Sequence, residues 1–488
     1  MAPDDALGAA VEGVPVSDGA VGPELVIGLV TPLGTNTADI ADDLVAILGE
    51  HAYDAVVLHL SEYLEPTGTA PIGEKEDQRI HRLITAGNDL CAVHDDPAAI
   101  ARLAIVHIRR ARLGLRRQDG DTAPADELMA QGRPRTAYIL HSLKRPAEVE
   151  FLRQVYGSQF ILLGSQATPA RRKERLMGRP MSETDPTKKD RLVEALIALD
   201  AQDQESLGQR VNKAYPLSDF FAGDTHDDRV RIIRLIFGEP IAPTVGEFAM
   251  YVARASSGRS LAASRKVGAS LVIGDSVVAT GYNDVPPGQD PDVIEGIDTS
   301  EVFKRENVSD TLRRLHGAGL LGAGTAPPDD QTIKRALDAL DGGELLNVIE
   351  YQRAVHAEAR TLDDAAVRGV SPRGGDIYVT TFPCHLCYKH CLSTQISTIR
   401  YIDPYPKSRA TAMYPAGSDE RLLPYEGVAP KRYIQTFETR LPPVSDGSGI
   451  FKSQERSVAV PLDRPLRDDA DRDAEERLAT SGLREEYQ

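Results

Sequence analysis

Two short stretches hold residue types that do chemistry together: His356-Ala357-Glu358 and Pro383-Cys384-His385-Leu386-Cys387. Cys384 and Cys387 are three apart, so on a helix they share one face, and they fall in a first turn just after an apolar run. A helix N-terminus favours thiolates, the form a metal ion needs. With His356 they make three ligands for a tetrahedral Zn²⁺ and leave the fourth position to water, as catalytic zinc sites do and structural ones do not. Glu358 cannot easily bind the same ion from the same turn, but it can reach that water. Zinc lowers the pKa of its water to about 7, and a carboxylate alongside can pass the proton to a ring nitrogen. The expectation is one Zn²⁺ per chain on His356, Cys384 and Cys387, with Glu358 catalytic. Cys391 would close the site if it bound, and is read as a core cysteine. His385 and His390 are read as exposed or outer groups.

The pattern H-x-E…P-C-x-x-C is that of zinc deaminases acting on C4 of cytosine or C6 of adenine. At these residues the chain resembles the deoxycytidylate deaminase family, within the cytidine deaminase-like fold, through most of 244–410. SRKVGASLVIGDSVVATGYNDVP (264–286) resembles the family's first hairpin, RAVHAEART and TTFPCHLCYKH its zinc helices, and YIDPYPKSRA (401–410) the segment after them. The resemblance implies a deoxycytidine nucleotide as substrate, Asn283 as a sugar contact, and Arg265, Lys266 and Lys407 as phosphate contacts. The insertion 284–350 departs from the small nucleotide-pool enzymes and leaves dCTP and dCMP both open.

The elements that must position these residues fall into two bodies. In the first, 23–240, LVIGLV (25–30), DAVVLHL (54–60), TAYILHSL (136–143) and FILLGSQ (160–166) read as buried strands. They alternate with helical patterns at 38–51, 76–90, 97–113 and 146–157, which predicts a parallel α/β sheet. In the second, 241–455, a helix (246–260), a hairpin (267–283) turning at Gly-Asp, a helix (356–369), a strand (377–381), a short helix (384–394) and a strand (398–402) predict an α/β/α domain. Residues 1–22 read as a loose tail, and the charged run from 456 to 488 as a solvated helix or disordered tail.

Residues 25–40 form a strand, a glycine-bearing loop and a helix, the setting of a phosphate-binding P-loop. Gly28, Gly34 and Thr35 are its candidate nucleotide contacts. The two glycines are one residue too far apart for the motif, and Thr35 stands where the lysine belongs. Two readings stay open: a loop that binds phosphate without hydrolysis, and a βα turn with no ligand. A P-loop-NTPase-like body ahead of a deoxycytidylate deaminase body resembles the bacterial anti-phage dCTP deaminases, as do SLKRPAEVEFLRQVYG (142–157) and GQRVNKAYPLSDFF (208–221). That resemblance implies depletion of deoxycytidine nucleotides during infection, a homo-oligomer, and restraint through the N-terminal body by a regulatory nucleotide or, as in some members, an inhibitory small RNA.

The 488 residues carry a net charge of −17, which opposes broad nucleic-acid binding, and no DNA-binding patch is evident. Four cysteines, three of them clustered, suit a metal site in a reducing compartment better than a disulfide framework. No stretch is apolar enough to span a membrane, and the N-terminus lacks a secretory pattern, so the expected place is the cytoplasm. Two other readings stand beside the nucleotide deaminase. One is a deaminase of bases in RNA or single-stranded DNA, against which the charge and the lack of Trp count. The other is a non-catalytic regulatory protein with structural zinc, which would have no need of Glu358.

Overall fold

The computed structural model describes residues 22–64, 71, 73–203, 206–223, 225–262, 265–321, 327–340, 343–346, 352–405, 408–438, 444–445, 451–452, 468–481 and 483. The loose tail read over 1–22 therefore lies, but for Gly22, outside the described residues, and so does Lys407.

The fold is mixed α/β, built on two main sheets. In the first, β1 (Leu25–Val30), β2 (Asp54–His59), β3 (Thr136–His141), β4 (Phe160–Gly164) and β5 (Phe220–Phe221) run parallel in the order β5-β4-β1-β3-β2. Both faces are covered, which is why β1, β3 and β4 read as nearly unbroken apolar runs. Leu25, Ile27 and Leu29 turn to the helices Thr37–Glu50 and His226–Ile236. Val26 and Val30 turn to Ala99–Gln118 and Pro146–Tyr156 on the other side.

In the second sheet, β6 (Gly268–Ile273) and β7 (Ser276–Tyr282) form an antiparallel hairpin turning at Gly274-Asp275. β8 (Asp376–Thr381), β9 (Thr398–Asp403) and β10 (Leu422–Pro424) complete the order β10-β9-β8-β6-β7. Helices Ala357–Val367 and His385–Ser393 cover one face and Val245–Ser257 the other, giving three layers.

The division at 240/241 is not a break in the packing. Ala249, Met250 and Ala253 of the helix Val245–Ser257 share one core cluster with Val26, Tyr138 and Phe221 of the first sheet. Three residues after β10 begins the strand β11 (Gly427–Val428), which joins the first sheet antiparallel to β5. Buried Glu247 ties the bodies further: Arg231 grips both of its oxygens at 2.7 Å, and Val428 N donates to it at 3.0 Å.

The charged C-terminal run departs from its solvated reading. Helix Asp469–Thr480 lies on the first body, against Ala99–Gln118 and Pro146–Tyr156. Glu476 is fully buried there and binds Arg112 at 2.8 Å and Arg109 at 2.9 Å, while Arg112 also holds Glu24 at 2.6 Å. Two of the charges that suggest solvent, Asp473 and Glu476, are satisfied by arginines on another helix.

Candidate active site

His356 and Cys384 are each the residue just before a helix, extended at φ −69° and −71°, so both side chains project from helix N-termini. A backbone bridge between Asp284 and Val355 sets the histidine's position and closes the base of the insertion. The helix Ala357–Val367 lies very close to β7 because position 281 is glycine; a Cβ there would meet Ala357 O at 2.2 Å. Cys384 follows β8 by three residues, and its Sγ accepts from Cys387 N at 3.4 Å.

Three donors converge: His356 Nδ1 lies 3.2 Å from Cys384 Sγ and 3.4 Å from Cys387 Sγ. All three atoms lie within 4.8 Å of one another. Tetrahedral zinc with ordinary Zn–N and Zn–S lengths would hold such donors about 3.6 Å apart, so the set fits Zn²⁺ within a few tenths of an ångström. Gln352 Oε1 engages the other ring nitrogen at 2.8 Å, which fixes the ring with Nδ1 toward the cysteines. Hydrogen bonding from Cys387, then from His356, brings the Cys384 thiol down to about 4 despite its burial. Cys391 sits in the hydrophobic core outside this cluster. His390 is exposed and His385 half-buried.

Glu358 is buried beside the cluster. Burial first, then the charge of Cys384, push its carboxyl up to about 7. It faces a cavity of about 740 Å³ that also reaches His356, Cys384, Phe382, Thr381 and Tyr405.

The predicted substrate contacts separate. Arg265 and Asn283 line the cavity, and Lys266 does not. Lys266 is exposed outside it, so its adjacency to Arg265 in sequence does not carry it into the pocket. The Asn283 amide is occupied by backbone, accepting from Val267 N at 2.6 Å and donating to Arg265 O at 2.8 Å, and so holds the segment that presents Arg265. Residues missed from the sequence are the insertion's wall, among them Pro291, Ile297 and Lys304, and Lys213 from the first body. Nothing in local spacing marks them, because they reach the pocket only through tertiary packing.

The first body's loop contacts also change. Gly28 is inside β1, where a Cβ would meet Leu143 Cδ1 at 2.8 Å; it is a packing glycine and not part of a phosphate loop. Gly34 does lie in the loop, at φ +87°, with Arg172 O 2.6 Å from where its Cβ would be. Thr35 Oγ1 is buried without a hydrogen-bond partner. Leu33 N donates to Asp200 Oδ2 at 2.7 Å, and Lys144 Nζ bridges Thr31 O and Asp200 Oδ1 at 2.9 Å each. An internal carboxylate thus occupies a loop amide that a phosphate would use.

Among the described residues, no helix is long and apolar enough to cross a membrane. No curated protein matches the chain. Crystal structures of the cyanophage S-TIM5 dCMP deaminase resemble it in apo form (17% identity, 38% of this chain, 98% of that chain, TM-score 0.23). The same enzyme in complex with dCMP and dUMP gives 18% identity over 38% and 98%, TM-score 0.23. A Thermotoga maritima diaminohydroxyphosphoribosylaminopyrimidine deaminase/5-amino-6-(5-phosphoribosylamino)uracil reductase gives 14% identity over 40% of each chain, TM-score 0.22. Residues 244–402 match the family model described as the cytidine and deoxycytidylate deaminase zinc-binding region. The C-terminal half of the chain therefore carries a deaminase domain of the cytidine/deoxycytidylate type.

Proposed function

We propose that the protein hydrolyses deoxycytidine nucleotides, dCTP or dCMP, to the deoxyuridine nucleotide and ammonia, with one Zn²⁺ per chain. The observation that carries this reading is the buried Glu358 carboxyl beside the His356–Cys384–Cys387 cluster, opening onto a large cavity. When bound, zinc would supply Lewis acidity that makes water a nucleophile near neutral pH. His356, oriented by Gln352, and the two cysteines would hold it. Glu358 takes a proton from the attacking water and delivers it to N3 of the cytosine ring. The water oxygen bonds to C4, Glu358 carries the second water proton to the amino group, the C4–N bond breaks, C4=O forms, and ammonia leaves. Phe382, edge-on to Tyr401 with ring centres 4.7 Å apart, forms part of the cavity wall.

The insertion favours a small substrate over a polymer, because its residues from Pro291 to Lys304 form one side of the cavity. Parallel incubation with free nucleotides and with single-stranded DNA and RNA tests this choice. Deamination of the free nucleotides is expected, and deamination confined to the oligonucleotides would reject it.

The likeness to the anti-phage dCTP deaminases supports a role in draining the deoxycytidine nucleotide pool during infection. The core shared between the bodies supports control of the site by the first body, whether the effector is a nucleotide, an RNA or a protein. The Asp200 carboxylate on the β1 loop supports a control domain without NTPase activity, since it competes for the amide a phosphate needs.

A further inference from the structure

Four cations line the catalytic cavity: Lys213, Arg265, Lys304 and Arg353. Two of them are already neutralised. Lys304 binds Glu301 at 2.6 Å, and Arg353 binds Asp292 at 2.8 Å and Glu295 at 2.9 Å. Among the described residues, neither Lys213 nor Arg265 has a carboxylate at ion-pair distance. Arg265 Nη1 is buried and has no hydrogen-bond partner at all. A buried guanidinium nitrogen left without an acceptor is costly, and an anion entering the cavity would supply one.

We propose that Lys213, which belongs to the first body, completes with Arg265 the phosphate-binding side of the substrate pocket. The inference rests on the nucleotide reading above and specifies who binds the phosphate. Lys213 is held on a firm base. Val211 and Ala214 of its short helix are buried, and so is Tyr215 immediately after, whose ring packs 5.2 Å from Phe221. That segment touches β9, so it sits beside the strand whose last residue is Asp403. Burial pushes the Asp403 carboxyl up to about 6, against the pull of Arg265, Arg254 and Lys213. The Lys213 side chain itself is exposed, so its ammonium is free to meet a ligand.

The consequence is a composite site. The second body supplies the metal donors, Glu358 and Arg265, while the first body supplies a cation for the phosphate. Nucleotide would be preferred over nucleoside only while the two bodies are docked, which ties substrate choice to the control domain.

The test uses the full-length zinc-loaded protein with Lys213→Met and Lys213→Arg. Rates on deoxycytidine, dCMP and dCTP are followed by ammonia release, and the binding of inorganic tripolyphosphate by calorimetry. Zinc content and melting temperature are measured on each sample. In Lys213→Met, the ratio of kcat/KM for nucleotide over nucleoside should fall about tenfold or more, as loss of one charge-assisted hydrogen bond implies, and Lys213→Arg should restore most of it. Tripolyphosphate binding should weaken in parallel. An unchanged ratio, or an equal loss on nucleoside and nucleotide, would overturn the proposal. If the parent deaminates none of the three, the functional reading fails by itself. Tripolyphosphate binding then decides Lys213: weakening in Lys213→Met upholds the anion site, and equal or absent binding in the parent overturns it.

Discussion

Glu358 and the three donors around it are the part of the molecule where a single atom decides the outcome. Their convergence was legible in part because C-x-x-C is local: its three-residue spacing puts both cysteines on one helix face, while His356 is brought to them only by the fold. Replacing Cys384 or His356 by Ala should strip the metal and lower stability, since zinc would tie two helix N-termini together. Zinc analysis checks this, and full occupancy in Cys384→Ala would be inconsistent with the assignment. Glu358→Gln is expected to keep zinc and fold while losing about 10²–10⁴-fold in turnover, the usual worth of positioned proton transfer. Activity within a few-fold of the parent would assign the proton to another group. Asn283 shows the limit of residue-level reading. Its place in the pocket could be inferred from the hairpin, but its amide serves the backbone around Arg265, which only the structure reveals.

The elements differ in how far their sequences announced them. The strands β1, β3 and β4 were legible because a strand covered on both faces has no polar alternation to hide it, whereas β2, read as buried, is an edge strand in which only Leu58 is buried. The helix Asp469–Thr480 was not, because a pattern of alternating charge looks the same whether its partner is water or an arginine on another helix. Burial raises the Glu476 carboxyl, but Arg112, then Arg472 and Arg109, more than offset this and hold it below its ordinary value of 4.5. A depressed folded-state pKa means stability that is fully present above about pH 4.5 and is lost as pH falls through the lower folded value. Glu476→Gln should therefore destabilise the protein at neutral pH, by about 1–3 kcal/mol, since Arg112 keeps Glu24 as a partner. The gap in melting temperature between parent and variant should narrow as the buffer is taken below pH 4.5. A gap independent of pH would mean the ion pair is not what holds this helix.

At the scale of the whole molecule, the two textures seen in the sequence correspond to two sheets that share one hydrophobic cluster. A boundary reads from sequence as a change of pattern, whereas the shared cluster of Val26, Phe221, Met250 and Tyr425, and the crossing of β11 into the first sheet, depend on chain segments far apart in order. A fragment comprising residues 241–488 should therefore expose the core face of the helix Val245–Ser257 and fail to unfold cooperatively, as monitored by calorimetry. A sharp two-state transition in that fragment would show that the shared core is dispensable. The same interlock explains how a control body could bear on catalysis, since movement of one sheet alters the packing of the other. The most direct test of the account strips the full-length protein with a chelator, restores Zn²⁺, and follows dCTP and dCMP together with ammonia. The account predicts no turnover in the stripped protein, and after zinc is restored, deoxyuridine nucleotide and ammonia in equal amounts, formed about 10²–10⁴-fold more slowly in Glu358→Gln. Fully zinc-loaded protein that leaves both nucleotides untouched, or Glu358→Gln turnover within a few-fold of the parent, would contradict it.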